Sequence, residues 1–129
     1  MTLDDILANA ADQDRGAELE LLDPVSGVGT GIKFRVAGPD SDTQRRARLA
    51  LADELADVAD ADGKVTAEQR ETARLRMLAR CVLGWTIEEG DKPVPFSQAN
   101  VIRTLRAALW VQAQVDSFAA DRRNFQPEA

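Results

Sequence analysis

Near residue 38 the spacing of apolar residues changes from that of β-strands to that of α-helices, and this change limits the folds that the chain can adopt. In segments 19–21 and 32–36, apolar residues alternate with charged ones, which is the period of half-buried β-strands. Residues 23–31 between them are rich in Gly, Asp, Ser and Pro, as turns are. We therefore predict a β-hairpin over residues 17–37, in which acidic side chains of one strand face basic ones of the other: Glu18, Glu20, Lys33 and Arg35.

Helical spacing of apolar residues begins after residue 38 and continues to about Arg122. Residues that can cap a helix N-terminus stand at Ser41, Thr66 and Ser97. The first two are followed by a glutamine three residues later, which is the pattern of a capping box. We expect the first of these helices to end near Gly63.

A loop is predicted after the second of these helices, which Gly84 can terminate. Residues 85–92 are mostly polar, and Pro93 and Pro95 prevent a helix from continuing. Beyond Ser97 the apolar spacing fits either one long helix or two helices with a break at residues 108–110.

The predicted fold class is α+β and mainly α-helical, with an N-terminal β-hairpin followed by a bundle of about four helices. Residues 1–16 are expected to form an N-terminal arm or a short helix, because their helical pattern is near the length of about 12–15 residues below which isolated helices are marginal. Residues 17–125 are expected to form a single domain, with the helices over about 41–125, and residues 126–129 a tail. Because a lone hairpin is marginal in water, we expect it to lie on the helices or to pair its edges with another chain.

Composition excludes several classes of function. The net charge of −6 disfavours binding to a phosphate backbone, so we expect no nucleic-acid partner. The chain has no histidine, which is the most common general base near neutral pH. The acidic start and the lack of any apolar run near 20 residues predict neither export nor membrane insertion. We expect a cytoplasmic protein.

Residues 60–63 (DADG) are similar to the middle of a calcium-binding EF-hand loop. In an alignment on Gly63, the first and twelfth ligand positions hold Val58 and Gln69, which supply no carboxylate. We interpret the segment as a helix end followed by the Thr66 capping box and predict no metal site.

Two other segments are similar to functional motifs but lack the neighbouring structure or residues that those motifs need. The glycine-rich residues 27–31 precede a predicted strand, whereas a phosphate-binding loop needs a following helix. Cys81 lies on an apolar helix stripe and has no histidine to activate it, so we predict a core position. We therefore predict a non-enzymatic protein without catalytic residues or cofactor.

Aromatic residues make up only 5% of the chain, so each is a candidate for the core or for an interface. Tryptophan is among the residues favoured in binding hot spots. The candidate partner-binding residues are apolar side chains of the C-terminal helices and of the second hairpin strand: Trp110, Phe118, Phe125, Phe34 and Ile32.

Four segments occur in an order that resembles the tail assembly chaperones of long-tailed bacteriophages and prophages: RCVLGW at 80–85, PVPFSQAN at 93–100, QV at 114–115 and NF at 124–125. The acidic N-terminal segment and the Leu-Asp-Pro turn at residues 22–24 resemble that family too. The resemblance covers roughly residues 21–125 and rests on dispersed apolar and turn residues. One departure lies at residues 107–110, where the family pattern leads us to expect a Pro or Tyr-Pro break and this chain has AALW.

The resemblance implies a protein of the bacterial host cytoplasm that binds the tape measure protein, and possibly the major tail protein, while the tail tube polymerises. It also implies that the chaperone is absent from the mature virion. Such a role needs exposed apolar or edge-strand surface and no cofactor, and it allows a homo-oligomer formed through hairpin edges or helices. Two other functions stay open: a structural tail-completion or connector protein of the virion, and a small calcium-responsive regulatory binding protein built on residues 60–63.

Overall fold

The computed structural model describes residues 1–127, which have an α+β architecture of five α-helices and a three-stranded antiparallel sheet in the order β1-β2-β3. In chain order the elements are α1 (Leu3–Arg15), β1 (Ala17–Leu22), β2 (Gly29–Val36), α2 (Asp42–Val58), α3 (Ala67–Arg80), β3 (Val82–Thr86), β4 (Glu88–Glu89), β5 (Lys92–Pro93), α4 (Gln98–Ala107) and α5 (Leu109–Ala120). A short 3₁₀ helix follows at Arg122–Phe125, and β4 and β5 form a small ladder of their own.

The predicted architecture, an N-terminal hairpin followed by a bundle of about four helices, is wrong. The chain begins with helix α1, so the β1–β2 hairpin is not N-terminal, and β3 adds a third strand from between the helices. The prediction relied on local hydrophobic period, whereas α1 and β3 are held by segments distant in the sequence.

The hairpin itself has the predicted pairing of opposite charges. Glu18 lies opposite Arg35 and Glu20 lies opposite Lys33 in an antiparallel register. Lys33 Nζ is 3.4 Å from the Glu18 carboxylate. The register that the alternating charges predicted is therefore confirmed.

Strand β3 occupies a segment that we predicted to be a helix end and a loop. Helix α3 ends at Arg80, and the chain passes through Cys81 directly into β3, which pairs with β2. Trp85 lies opposite Phe34 with ring centroids 5.8 Å apart, and its Nε1 donates a hydrogen bond to Val94 O at 2.9 Å. Hydrogen bonding to the second edge of β2 favours a strand here more strongly than the weak helical spacing of the segment favours a helix.

The predicted hydroxyl caps of α2, α3 and α4 are confirmed: Ser41, Thr66 and Ser97. Thr66 and Gln69 form a complete capping box. The Gln44 side chain does not return to its cap and instead donates to the carbonyl oxygens of Ala37 and Ala119, at 2.7 and 2.8 Å. Gln44 thus ties α2 to the end of β2 and to the end of α5.

Helix α2 ends at Val58 and not near Gly63 as predicted, because Asp60 begins a turn. Asp60 Oδ1 accepts hydrogen bonds from the amides of Asp62 and Lys64 at 2.9 Å each. Gly63 has a φ of 78°, in the left-handed region that favours glycine. The acidic segment is a turn whose first carboxylate is occupied by backbone amides.

The last helical region is broken in two at Ala108, which has extended dihedral angles of φ −157° and ψ 138°. The buried side chain of Gln112 stabilises the break, since its Nε2 donates to the carbonyl oxygen of Leu105 at 2.9 Å. Its Oε1 accepts a hydrogen bond from Arg74 at 2.7 Å. A glutamine therefore satisfies a carbonyl that the end of α4 leaves free, and the bend needs no proline.

The core lies between one face of the sheet and helices α3, α4 and α5. Its largest members are Leu21, Phe34, Val36, Leu75, Leu78, Val82, Val101, Leu105, Val111 and Val115. Helix α5 is fixed along the edge of β1 by Gln114, whose side-chain amide accepts from Leu22 N and donates to Leu22 O, both at 2.8 Å.

Candidate partner-binding surface

The C-terminal half of α1 is fixed to the rest of the domain by Gln13, whose side chain is 0% exposed. Gln13 Nε2 donates to Asn9 Oδ1 at 2.8 Å and to the Asp40 carboxylate at 3.1 Å, and Gln13 Oε1 accepts from the Asp40 amide at 2.6 Å. A Cβ added at Gly38 would lie 2.7 Å from Gln13 Oε1, so this close approach requires glycine. A polar side chain docks the helix.

Asp14 joins α1 to the N-terminus of α2. Its carboxylate accepts hydrogen bonds from the amides of Asp42 and Thr43 and from the Thr43 hydroxyl, all at 3.1 Å. Burial raises the pKa of Asp14, but these hydrogen bonds outweigh burial and hold the pKa below its ordinary value. A carboxylate at a helix N-terminus is electrostatically favoured, so Asp14 stabilises both the first turn of α2 and the position of α1.

The N-terminal half of α1 extends past these contacts with its apolar side chains exposed. Leu3, Ile6 and Leu7 are 69%, 54% and 57% exposed. Ile6 and Leu7 are neighbours of Leu3, because residues three and four apart are adjacent on a helix, and Ile6 lies about two turns before Gln13 on the same face. Thr2 caps this end in a complete capping box, so the first turn is held helical. We name Leu3, Ile6 and Leu7 the α1 apolar stripe.

An open groove of about 580 Å³ lies beside this stripe, between α1 and the C-terminal segment. Its apolar lining includes Met1, Ile6 and Pro127. Its charged lining consists of three carboxylates and one guanidinium: Asp5, Asp12, Asp40 and Arg122. We name it the α1 groove.

Arg122 stabilises the wall of the α1 groove that lies opposite α1. Its guanidinium donates hydrogen bonds of 2.8 and 2.9 Å to the two oxygens of Asp40. These bonds, and the one from Gln13, lower the pKa of Asp40 to about 2. Asp12 is paired in the same way with Arg15, which leaves Asp5 as the lining carboxylate that has no basic side chain within residues 1–127 paired with it.

The tip of the β1–β2 hairpin is a second exposed apolar surface, with Val25 95% and Val28 65% exposed. The turn is ordered by Asp23, whose Oδ1 accepts from the amides of Val25 and Ser26 at 2.9 Å and whose amide donates to Val28 O at 2.8 Å. The tip is separated from α1 by the length of the six-residue strand β1, about 17–20 Å.

The side chains that we predicted to bind a partner do not form one exposed surface. Phe34 and Phe125 are buried, at 0% and 4% exposure, so their rings serve the core. Ile32, Trp110 and Phe118 are half-buried and pack against the core, and Phe118 contacts the Phe125 ring edge-on at 5.6 Å. A role for these three in partner binding stays a prediction.

Sequence reasoning missed the α1 apolar stripe as a surface. The helical spacing of Leu3, Ile6 and Leu7 was visible, but such spacing is equally typical of a helix packed on a core. A usable signal was the polar Gln13 about two turns after Ile6, since a buried amide is hydrogen-bonded and a helix held by such bonds does not need all its apolar side chains in the core.

The other candidate chemistry resolves into structural roles. Burial raises the pKa of Cys81 to about 11, and its 4% exposure confirms the predicted core position. Arg45 and Arg46 both form ion pairs with Asp42, at 3.0 and 2.8 Å. Within residues 1–127 no group of three or more acidic or cysteine side chains is arranged to hold a metal ion.

No family model matches the chain, and neither a curated protein nor a solved structure is significantly similar to it. Across residues 1–127, no helix combines the length and the apolar character that crossing a membrane requires.

Proposed function

We propose that the chain is a non-enzymatic tail assembly chaperone of a long-tailed bacteriophage or prophage, which binds the tape measure protein and assists assembly of the tail tube. The observation that carries the proposal is the α1 apolar stripe, an ordered helix face that is more than half exposed. The resemblance of residues 21–125 to that family supplies the identity of the partner.

A chaperone for a long helical protein needs a surface that competes with aggregation of the partner's apolar segments. An exposed helix face meets this need, because it can lie against an amphipathic helix and bury the side chains of both. Apolar side chains grouped on an ordered surface mark interaction sites more often than scattered ones do. The hairpin tip offers a second contact, and two weak contacts on one chain raise the overall affinity.

In this proposal the protein acts in the cytoplasm of the bacterial host, contacts the tape measure protein and possibly the major tail protein, and leaves before the virion is complete. Binding through buried apolar surface requires neither a cofactor nor a metal. It also allows release, because contacts made by a few side chains dissociate quickly.

Co-expression tests the proposal. The full chain is produced together with the tape measure protein of the same phage or prophage, and the soluble fraction of that protein is measured after centrifugation. We expect wild type to keep the partner soluble and Leu3→Asp to fail. Leu109→Asp is the matched control, since Leu109 is also an exposed leucine, at 76%, but lies on α5. Circular dichroism confirms that both variants are folded.

A partner that is equally insoluble with and without the wild-type chain contradicts the proposal. Mass spectrometry of purified particles separates the chaperone from a structural tail-completion or connector protein. The chaperone is expected to be absent, and recovery of the chain in a fixed ratio to the tail proteins would assign it to the virion instead.

A further inference from the structure

The charge of the α1 apolar stripe's surroundings restricts what can cover it. Residues 1–7 contain two charged side chains, and both are carboxylates, Asp4 and Asp5. Asp4 lies one turn before Leu7 and therefore borders the stripe. In the α1 groove Asp12 is paired with Arg15 and Asp40 with Arg122, so the negative charge that borders the stripe comes from Asp4 and Asp5. An occupant of this surface meets apolar side chains bordered by excess negative charge.

The shape of the surface favours a helix as the occupant. Ile6 and Leu7 follow Leu3 at three- and four-residue spacing along an ordered helix, and Ile6 also lines the α1 groove. A second helix can lay its own residues at that spacing against such a stripe.

Charge argues against a second copy of this chain in the same arrangement. Two α1 helices packed face to face would bring their carboxylates together, and each chain carries a net charge of −6. Like charges across an interface oppose association, whereas opposite charges favour it and speed encounter.

We propose that α1 and its groove receive an amphipathic helix whose apolar stripe is bordered by lysine or arginine. This inference rests on the proposed function and specifies which segments of the tape measure protein are bound, namely basic amphipathic ones. The stripe supplies affinity through apolar contact, and the acidic border selects the charge of the partner.

Three synthetic peptides of about 18 residues, long enough to form a helix, test the inference by fluorescence anisotropy with the full chain. The first has leucines at helical spacing bordered by lysines, the second has the same leucines bordered by glutamates, and the third keeps the lysines but scrambles the leucines. We expect the first to bind about tenfold more tightly than either other peptide, and the preference over the glutamate peptide to shrink as salt is raised.

Protein variants locate the binding. Leu3→Asp and Ile6→Asp are expected to weaken binding of the first peptide about tenfold, and the matched control Leu109→Asp is expected to leave it unchanged. Asp4→Lys is expected to reduce the preference for lysine over glutamate borders. Leu3 and Ile6 are exposed, so their variants keep the fold, which thermal unfolding verifies.

Several results would overturn the inference. Equal binding of the scrambled peptide would show that charge alone attracts it. Equal or tighter binding of the glutamate peptide would remove the acidic selection. An equal loss in Leu109→Asp would place the site elsewhere, and a dimer in sedimentation that Leu3→Asp dissociates would assign the surface to a second copy.

Failure of the inference and failure of the proposed function give different results. If the peptides bind as expected but the tape measure protein stays insoluble, the groove assignment stands and the chaperone function falls. If Leu3→Asp and wild type keep the partner equally soluble, the chaperone function is supported and the assignment of α1 and its groove as the binding site is contradicted.

Discussion

Replacement of Gln13 by leucine should release α1 from the domain. The two side chains have similar volume, but leucine cannot form the hydrogen bonds by which Gln13 contacts Asn9 Oδ1, the Asp40 carboxylate and the Asp40 amide. The Asp40 amide donates to Gln13 at 2.6 Å and is left without this acceptor. The variant therefore removes the polar contacts that hold α1 while it keeps the volume of the buried side chain.

The magnitude follows from those contacts. The Asn9 bond lies within α1, so two hydrogen bonds join Gln13 to the rest of the domain; they contribute about 1 kcal/mol each, and the part-buried Asp40 amide left without its acceptor costs about a further 1–2 kcal/mol. Burial of the leucine side chain returns about 1.5–2 kcal/mol. The net loss is about 1–2.5 kcal/mol, which corresponds to a shift in the docking equilibrium of about 5- to 60-fold.

Hydrogen exchange is the appropriate assay, because the loss falls on one helix. In Gln13→Leu, the amides of α1 should exchange at least about fivefold faster, while the Phe34 amide in the central strand should change much less. Gln98→Leu is the matched control, since Gln98 is exposed on α4 and its side chain makes a long 3.5 Å contact with Arg76 O. Exchange of α1 in Gln13→Leu within about threefold of wild type would refute the account of how α1 is held.

Three further predictions concern single residues. Gly16 has φ 81°, and a Cβ there would lie 2.8 Å from a backbone oxygen, whereas Gly27 has φ 75° and open space around it. Urea denaturation should therefore show that the free energy of unfolding falls by about 3–4 kcal/mol in Gly16→Ala and by about 1 kcal/mol in Gly27→Ala. Equal losses would contradict the steric argument. Hydrogen bonds from Arg122 and then Gln13 lower the pKa of Asp40 from 3.8 to about 2, so its stabilisation is present above about pH 4 and lost as pH falls toward 2. Hydrogen exchange of the α1 amides should become faster over that pH range in wild type and depend less on pH in Asp40→Asn. Identical pH dependences would contradict a stabilising role of the Asp40 carboxylate. Because burial raises the pKa of Cys81 from 9.0 to about 11, the native thiol should react with a disulfide reagent at pH 8 about 100-fold more slowly than the unfolded one, and equal rates would disprove its burial.

Local signals in the sequence predicted the features that depend on local chemistry. The Thr66–Gln69 capping box and the opposition of Glu18 and Glu20 to basic residues were predicted from spacing alone and are confirmed. A cap is satisfied within its own turn, and hairpin pairing is set by residues close in sequence, so neither depends on the rest of the chain.

Strand β3 could not be found in this way. The segment that contains Val82 continues the apolar spacing of α3. The local sequence does not show that one edge of β2 is unpaired in the hairpin and can form hydrogen bonds with this segment. The end of α2 was missed for a similar reason, since Asp60 stops the helix by hydrogen bonds to amides that the helical pattern does not reveal. Both features result from a choice between competing hydrogen-bond partners.

The candidate surface was missed because aromatic chemistry was taken as its marker. Phe34 and Phe125 have the residue type of an interface anchor but lie in the core, and most of the exposed large apolar side chains belong to leucine, isoleucine and valine. Residue type alone does not separate a core from an interface, because both are apolar.

The position of β3 in the chain has a consequence for biosynthesis. Thr86 pairs with Lys33, a residue made about fifty residues earlier, which at about 5–20 residues per second corresponds to roughly 3–10 s of translation. Throughout that interval the outer edge of β2 has no partner and is open to pairing with other nascent chains. Lys33 and Arg35 place positive charge on this strand, and charged side chains oppose edge-to-edge association. The basic side chains of β2 thus oppose aggregation of the newly made chain until β3 has been synthesised and completes the sheet.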